Sequence, residues 1–371
     1  MSAPQAPSPD ALSPSSDRSA DPPPAADAAA RREALDTWLA PLARQFELDA
    51  ASLRPASDDA SFRRYFRLLP AEAGGTPMIV MDAPPPMEDC RPFVHAARVL
   101  KTAGVNVPEV HAADLDQGFL LLDDFGATTF LDRLAADRGA ATGLYRDATE
   151  ALVRMQGASR PGVFPDYDRA LLERELSLFP DWYLGRHRGA TLTDGQRGIL
   201  QTSFELLLAN NLAQPRVFVH RDYHSRNLML LDGERNPGVL DFQDAVYGPI
   251  TYDLVSLLRD AYVGWDEEQV LDWVVRYWER ARKAGLPVPD DVGQFYRDFE
   301  WMGLQRHLKI LGIFARLYHR DGKDRYLADM PLVRRYAVKT MQRYTALTPL
   351  LHLVEALDPD EQTDRRVGYT F

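Results

Sequence analysis

Three side chains near the middle of the chain have the types and spacing to handle a proton and a divalent cation: Asp222, Asn227 and Asp241. They lie in Val217-Phe218-Val219-His220-Arg221-Asp222-Tyr223-His224-Ser225-Arg226-Asn227-Leu228-Met229-Leu230-Leu231, answered by Gly238-Val239-Leu240-Asp241-Phe242-Gln243. Phosphoryl transfer asks a protein for such a set, a carboxylate beside the attacking hydroxyl and oxygen ligands for magnesium, because its transition state needs positioning and charge neutralisation. Alone, each residue is an ordinary turn former or helix cap. Order, spacing and strand context together point to chemistry.

The elements that must position them are short apolar strands broken by polar loops, which would lift the three groups out of a buried sheet toward one place. His220-Arg221-Asp222 through Asn227 fits the kinase catalytic-loop pattern H-R-D-x-x-x-x-N, with Asp-Phe-Gln in place of Asp-Phe-Gly after an intervening hairpin.

A chain of 371 residues predicts two domains, or one bilobal unit with tails, and 45% apolar content is ample for a core. The formal charge of −11 argues against a nucleic-acid or anionic-membrane partner and suits a small polar substrate. One cysteine, Cys90, rules out an intrachain disulfide and a cysteine-based zinc cluster, and suits a reducing cytoplasm. No apolar run approaches the ~18 residues of a membrane span. Residues 1–30 are dominated by Ala, Pro, Ser and Asp, lack the pattern of a signal peptide, and read as a disordered tail. Folded sequence is expected from Arg31, where Leu35, Trp38, Leu39, Leu42 and Phe46 recur at helical spacing.

Ser57-Asp58-Asp59-Ala60-Ser61-Phe62-Arg63-Arg64-Tyr65-Phe66-Arg67-Leu68 reads as a polar turn followed by an alternating aromatic and basic strand, in position for a phosphate-covering loop without its glycines. The next strand, Pro77 to Asp82, offers Met81-Asp82 where a kinase strand carries lysine, so the cation is expected from Arg64 or Arg67. A helix is predicted over 91–104, with Glu88 and Asp89 at its start as dipole complements or as partners of that cation. Val105–Val110 and Gly118–Gly126 read as two further strands, the second ending in Asp123-Asp124 where a hinge would receive an adenine. From Thr129 to Gln214 the period is helical, interrupted at Pro180-Asp181-Trp182-Tyr183. Phe295, Phe299, Met302, Leu304, Leu308, Leu311, Ala315 and Tyr318 form an apolar stripe, leaving Glu300, Gln305, Arg306 and Lys309 on other faces. A last helix is predicted over 331–357, and a loose polar end over 358–371.

With these motifs, with Asp241-Phe242-Gln243-Asp244 and with Gly248-Pro249-Ile250-Thr251-Tyr252-Asp253-Leu254, the chain resembles the aminoglycoside phosphotransferase and choline kinase-like superfamily. More closely it resembles the bacterial anomeric kinases of N-acetylmuramate and N-acetylglucosamine that serve cell-wall recycling. That likeness rests on Asp59–Arg67, Met81–Pro85, Leu240–Pro249 and Trp301–Lys309, and covers about Arg31 to Leu350.

The resemblance implies an α+β, bilobal protein-kinase-like fold: a small, mostly antiparallel sheet lobe over 31–126 above a larger, mainly helical lobe over 127–357, with ATP between them. It implies Asp222 as catalytic residue, Asn227 and Asp241 on Mg2+, and His220 and Asp253 as supports of the catalytic loop. Nucleotide contacts are expected from Ser61, Phe62, Arg64 and Asp123, and acceptor contacts from Asp222, Arg226 and Arg306, the last pairing with the lactyl carboxylate of N-acetylmuramate. The implied partners are ATP and an amino sugar, with no nucleic acid, membrane or protein partner, in the cytoplasm. Two other classes fit the residues: a kinase for an aminoglycoside, choline or homoserine-like hydroxyl, and a nucleotide-binding pseudokinase, which the missing strand lysine suggests.

Overall fold

A computed structural model describes residues 25–57 and 62–358. Its contacts divide the chain into two units. One holds the described residues up to Ala97 together with Pro108–Asp124; the other holds Arg98–Val107 and the described residues from Phe125.

The smaller unit begins with helix α1 (Ala25–Gln45), six residues before the expected start at Arg31. Residues 1–24 of the expected tail lie outside the described residues. Strands β1 (Leu48–Ser57), β2 (Arg64–Pro70), β3 (Met78–Asp82), β4 (Val110–Asp114) and β5 (Phe119–Asp123) form one antiparallel sheet in the order β1-β2-β3-β5-β4. Strand alternation puts Leu68, Met78, Val80, Phe119 and Leu121 on one face, where Leu35, Leu39 and Ala43 of α1 close over them, with Trp38, Leu42 and Phe46 packed at the margin. Helix α2 (Arg91–Thr102) follows β3, and the division between units passes through it. Cys90, whose carbonyl accepts from Val94 N at 3.0 Å, is buried at the start of α2.

One predicted strand is displaced and one strand is unforeseen. Val105 and Val107 are buried, but the ladder begins only at Val110, because Pro108 has no N–H to give it. Strand β1 escaped the sequence reading: Pro55 and two register shifts roughen its pattern, both tolerated because β1 lies at the sheet edge.

The larger unit is mainly helical: α3 (Phe130–Ala136), α4 (Ala141–Gly157), α5 (Arg169–Leu178), α6 (Asp194–Ala213), α7 (Tyr252–Leu258), α8 (Glu267–Lys283), α9 (Val292–Asp321), α10 (Met330–Arg343) and α11 (Thr348–Leu357). Helix α5 runs into a π-helical segment, Phe179–His187, at the predicted interruption. Between α6 and α7 lie four short strands, β6 (Arg216–Val219), β7 (Leu228–Met229), β8 (Gly238–Val239) and β9 (Val246–Pro249), paired antiparallel as β6 with β9 and β7 with β8.

The predicted last helix is broken. Tyr344 is extended (φ −115°, ψ 114°), and the chain restarts with Pro349 in the first turn of α11, where a missing N–H costs nothing. Of the expected polar end, only Asp358 is among the described residues. The stripe on α9 is wider than predicted: Glu300, Gln305, Arg306 and Lys309 are all buried, so no solvated face carries them.

Candidate active site

Pairing β6 with β9 and β7 with β8 ties down the ends of two loops, 220–227 and 240–245. Leu240 N donates to Asn227 O at 2.9 Å, joining the second loop to the end of the first. The first loop is shaped by carboxylates beneath it. Asp253 of α7, fully buried, accepts from His220 N (2.7 Å) and Arg221 N (3.0 Å), and Asp260 accepts from Ser225 N (3.0 Å) and its hydroxyl. Arg221 and Asp241 take left-handed backbone angles, φ 77° and 63°, uncommon for residues with a Cβ.

Asn227 Nδ2 donates to the Asp222 carbonyl (3.0 Å) and to Asp241 Oδ2 (3.2 Å), so one amide gathers both acidic residues. Gln243 Nε2 donates to the other Asp241 oxygen at 2.8 Å. With both amide hydrogens engaged, Asn227 presents Oδ1 beside the Asp241 carboxylate, a pair of hard oxygen donors suited to a divalent cation. Among the described residues no cluster of three His, Cys, Asp or Glu side chains is built to hold a metal. An ion here would take its remaining oxygens from phosphate and water, as magnesium commonly does.

Burial works against ionisation of Asp222, but Arg306, Lys309, His224 and Arg221 outweigh it and hold its carboxyl below the ordinary carboxylate range. Its side chain remains 42% exposed, and the nearest of those cations, Arg306 Nη1, stands 3.9 Å away. His220 Nδ1 accepts from Asp222 N (3.2 Å) while Nε2 faces the Leu240 carbonyl (2.9 Å), which selects the tautomer protonated at Nε2. Burial lowers its pKa to about 4, so it stays neutral. Asp253 is pushed up to about 7 by burial, against the two N–H groups it accepts.

The structure brings Asp222, Asn227, Asp241, His220, Asp253 and Arg306 into one cluster. Arg306 is 4% exposed and gives Nη1 to the Arg221 carbonyl and the Tyr252 hydroxyl, so it is not offered on an open helix face. Arg226 is exposed, its guanidinium 3.6 Å over the Tyr262 ring.

The expected nucleotide contacts sit in the smaller unit. Ser61 lies outside the described residues. Phe62 is 38% exposed, and Arg64 meets buried Asp82 at 2.5 Å, with Arg31 on the same carboxylate's other oxygen. Asp123 accepts from Glu109 N (3.0 Å) and faces His111 Nε2 (2.7 Å). Sheet register puts Arg64 opposite Asp82 and Asp123 opposite Met78, so the two stand at opposite ends of the sheet. Arg63 pairs with Glu88 at 3.1 Å and Arg67 with Asp124 at 2.5 Å. Glu88 before α2 therefore meets Arg63, not the expected Arg64 or Arg67, while Asp89 accepts from Arg91 N at the helix start.

Sequence reasoning missed Glu175, Tyr252 and Asp260. A signal was present for the first: Leu172, Glu175, Leu176 and Phe179 share one helical face, a carboxylate placed among core positions.

Residues 52–287 match the model of the family described as phosphotransferase enzyme family. An N-acetylmuramate/N-acetylglucosamine kinase of Neisseria meningitidis serogroup B is 48% identical over 343 residues, covering 92% of this chain and 99% of that one. A protein of the same name from Pseudomonas putida is 50% identical over 311 residues, covering 84% and 90%. Among solved structures, a choline/ethanolamine kinase family protein from Mesorhizobium loti superposes with TM-score 0.57 at 15% identity, covering 88% of this chain and 99% of that one. An amicoumacin kinase in complex with AMP-PNP, Ca2+ and Ami gives TM-score 0.58 at 13% identity, covering 86% of this chain and 97% of that one. These likenesses show an α+β, bilobal, protein-kinase-like fold with a small antiparallel sheet.

Proposed function

The chain belongs to the phosphotransferase enzyme family, and from that premise we propose that it transfers the γ-phosphoryl group of ATP to the anomeric C1 hydroxyl of N-acetylmuramate and N-acetylglucosamine, in the cytoplasm, feeding peptidoglycan recycling. The observation that carries the reading is the Asn227 amide bridging Asp222 and Asp241, joined to near-full-length identity with relatives bearing that kinase name.

Asp222 orients the acceptor hydroxyl and receives its proton as the new O–P bond forms and the bond to the leaving diphosphate breaks. Because Asp222 is held ionised, it is a weak base, and its contribution is placement. An anomeric hydroxyl is more acidic than the other hydroxyls of a sugar, which suits such a base. Asn227 Oδ1 and Asp241 hold Mg2+, which when bound neutralises charge on the phosphate oxygens. Ser61, Phe62, Arg64 and Asp123 serve the nucleotide. On the acceptor side, exposed Arg226 takes the lactyl carboxylate expected of Arg306, because Arg306 is buried on the Arg221 carbonyl and the Tyr252 hydroxyl and acts beside Asp222 instead.

The test is a panel of sugars and amino alcohols with ATP and Mg2+, with phosphorus NMR to read which oxygen carries phosphate. C1 phosphate on the N-acetylated sugars is expected; product only on choline, an aminoglycoside or another sugar hydroxyl overturns the assignment. Arg306→Ala should lose turnover equally on both sugars, and Arg226→Ala more on N-acetylmuramate.

A further inference from the structure

Beneath the loop that carries Asp222, a closed circuit of polar contacts joins α5, the loop, α7 and α9. Arg221 Nη2 donates to Glu175 Oε1 at 2.6 Å, and Lys309 Nζ donates to the same oxygen at 2.8 Å. Lys309 Nζ also reaches the Tyr252 hydroxyl (3.0 Å), which accepts from Arg306 Nη1 as well (3.2 Å). Arg306 Nη1 then returns to the Arg221 carbonyl at 2.9 Å and closes the ring. The Tyr167 hydroxyl donates to the remaining Glu175 oxygen. Glu175, Arg306 and Lys309 are all buried.

Taking such charges out of water can cost as much as their attraction returns, so a buried set of this kind is poorly explained by stability and better explained by the geometry it fixes. The geometry is that of Arg221. Its left-handed φ of 77° is strained for a residue with a Cβ. Its N–H is held by Asp253, its carbonyl by Arg306 and its guanidinium by Glu175. Asp222 is the next residue.

We infer that Glu175 is a positioning residue for phosphoryl transfer: by gripping Arg221 and Lys309 it keeps the Arg221 backbone in its left-handed turn and so fixes where the Asp222 carboxylate stands. Glu175 touches no reacting atom. The inference rests on the role given to Asp222 above, and on no particular acceptor.

The experiment is a double-mutant cycle read in kcat and KM, using Glu175→Gln, Arg221→Gly and both together. Glu175→Gln is expected to lower kcat about 100-fold with both KM values within about three-fold, the effect of a small misplacement of a reacting group. Glycine takes a positive φ without strain, so Arg221→Gly no longer needs the grip and should lose about ten-fold. The double variant should then match Arg221→Gly, recovering about ten-fold over Glu175→Gln alone. A double variant about 1,000-fold down, the product of the two losses, overturns the inference. So does a Glu175→Gln enzyme within two-fold of the parent, or one that loses only in KM. If Glu175→Gln does not fold, the double variant against Arg221→Gly decides: equal kcat supports the inference, and a further ten-fold loss overturns it. Should the parent prefer another acceptor, the sugar assignment fails and the cycle is run on that acceptor; a parent with no turnover on any acceptor overturns both.

Discussion

Two sets of arginines, one in each unit, are placed differently. On β2 of the smaller unit the carboxylate partner is sunk and the cation reaches toward water: Asp82 and Asp124 side chains are each 2% exposed, while their partners Arg64 and Arg67 are 46% and 29% exposed. Beneath the Asp222 loop of the larger unit both signs are sunk, and Arg306, Lys309 and Glu175 share one buried circuit with the Arg221 side chain. A half-immersed guanidinium keeps part of its hydration and can face an anion that comes and goes. A fully enclosed one meets only protein groups, and its effect is to fix backbone. On the function proposed above, the contrast separates ligand-facing charge from scaffold charge.

The largest expected effect tests the scaffold side. Asp222→Asn keeps the shape of the site and removes the charge that the circuit supports, and should lower kcat about 10³-fold in a coupled ADP assay on enzyme that still unfolds cooperatively. A comparable kcat would mean that the circuit positions nothing of consequence.

Next come two buried groups whose titrations oppose each other. Asp253, raised to about 7 from 3.8, contributes stability that is present below pH 3.8 and lost as pH rises through 7. His220, lowered to about 4 from 6.5, contributes stability that is present above pH 6.5 and lost as pH falls through 4. Between about pH 4.5 and 6.5 the two slopes cancel, so either substitution unmasks the other. Relative to the parent, His220→Gln should become less stable, and Asp253→Asn more stable, as pH rises across that window. Each change should be about 2 kcal/mol in denaturant unfolding. Parallel slopes in both variants would contradict the assignment.

Smaller effects are expected from the half-immersed cations. Arg64→Ala should raise the KM for ATP five- to ten-fold, about 1 kcal/mol, with kcat nearly kept. Arg67→Ala should do less, since its carboxylate and its own partial burial hold it more firmly. If neither alters ATP affinity or turnover, the ligand-facing half of the contrast is wrong. Smallest is a surface control. Arg169, paired with Glu173 and Glu205 in the open, should change stability by less than about 0.5 kcal/mol on conversion to Ala, read in the same unfolding experiment.

The loop chemistry was legible in the sequence because it is local: His220 to Asn227 and Asp241 to Gln243 lie on two short stretches, and their order alone describes the arrangement that Asn227 draws together. Helix α1 and the stripe on α9 were legible for the same reason, since periodicity is a local property. The circuit was not, because Glu175, Arg221, Tyr252 and Lys309 meet only through tertiary packing, and a charged residue on a helix reads first as a solvated one. Strand β1 was hidden by Pro55, which a central strand would exclude and an edge tolerates. The break between α10 and α11 fell where helical spacing continued across it and only Pro349 and the extended Tyr344 disagreed.

Cys90 gives the smaller unit an internal clock. It is the chain's single thiol, and burial pushes its pKa up to about 11, so at neutral pH it is neither reached nor ionised. An alkylating reagent can therefore modify it only while the start of α2 is lifted from its packing. The rate of that modification, counted one adduct per molecule, reports how often this segment breathes, without a label having to be introduced.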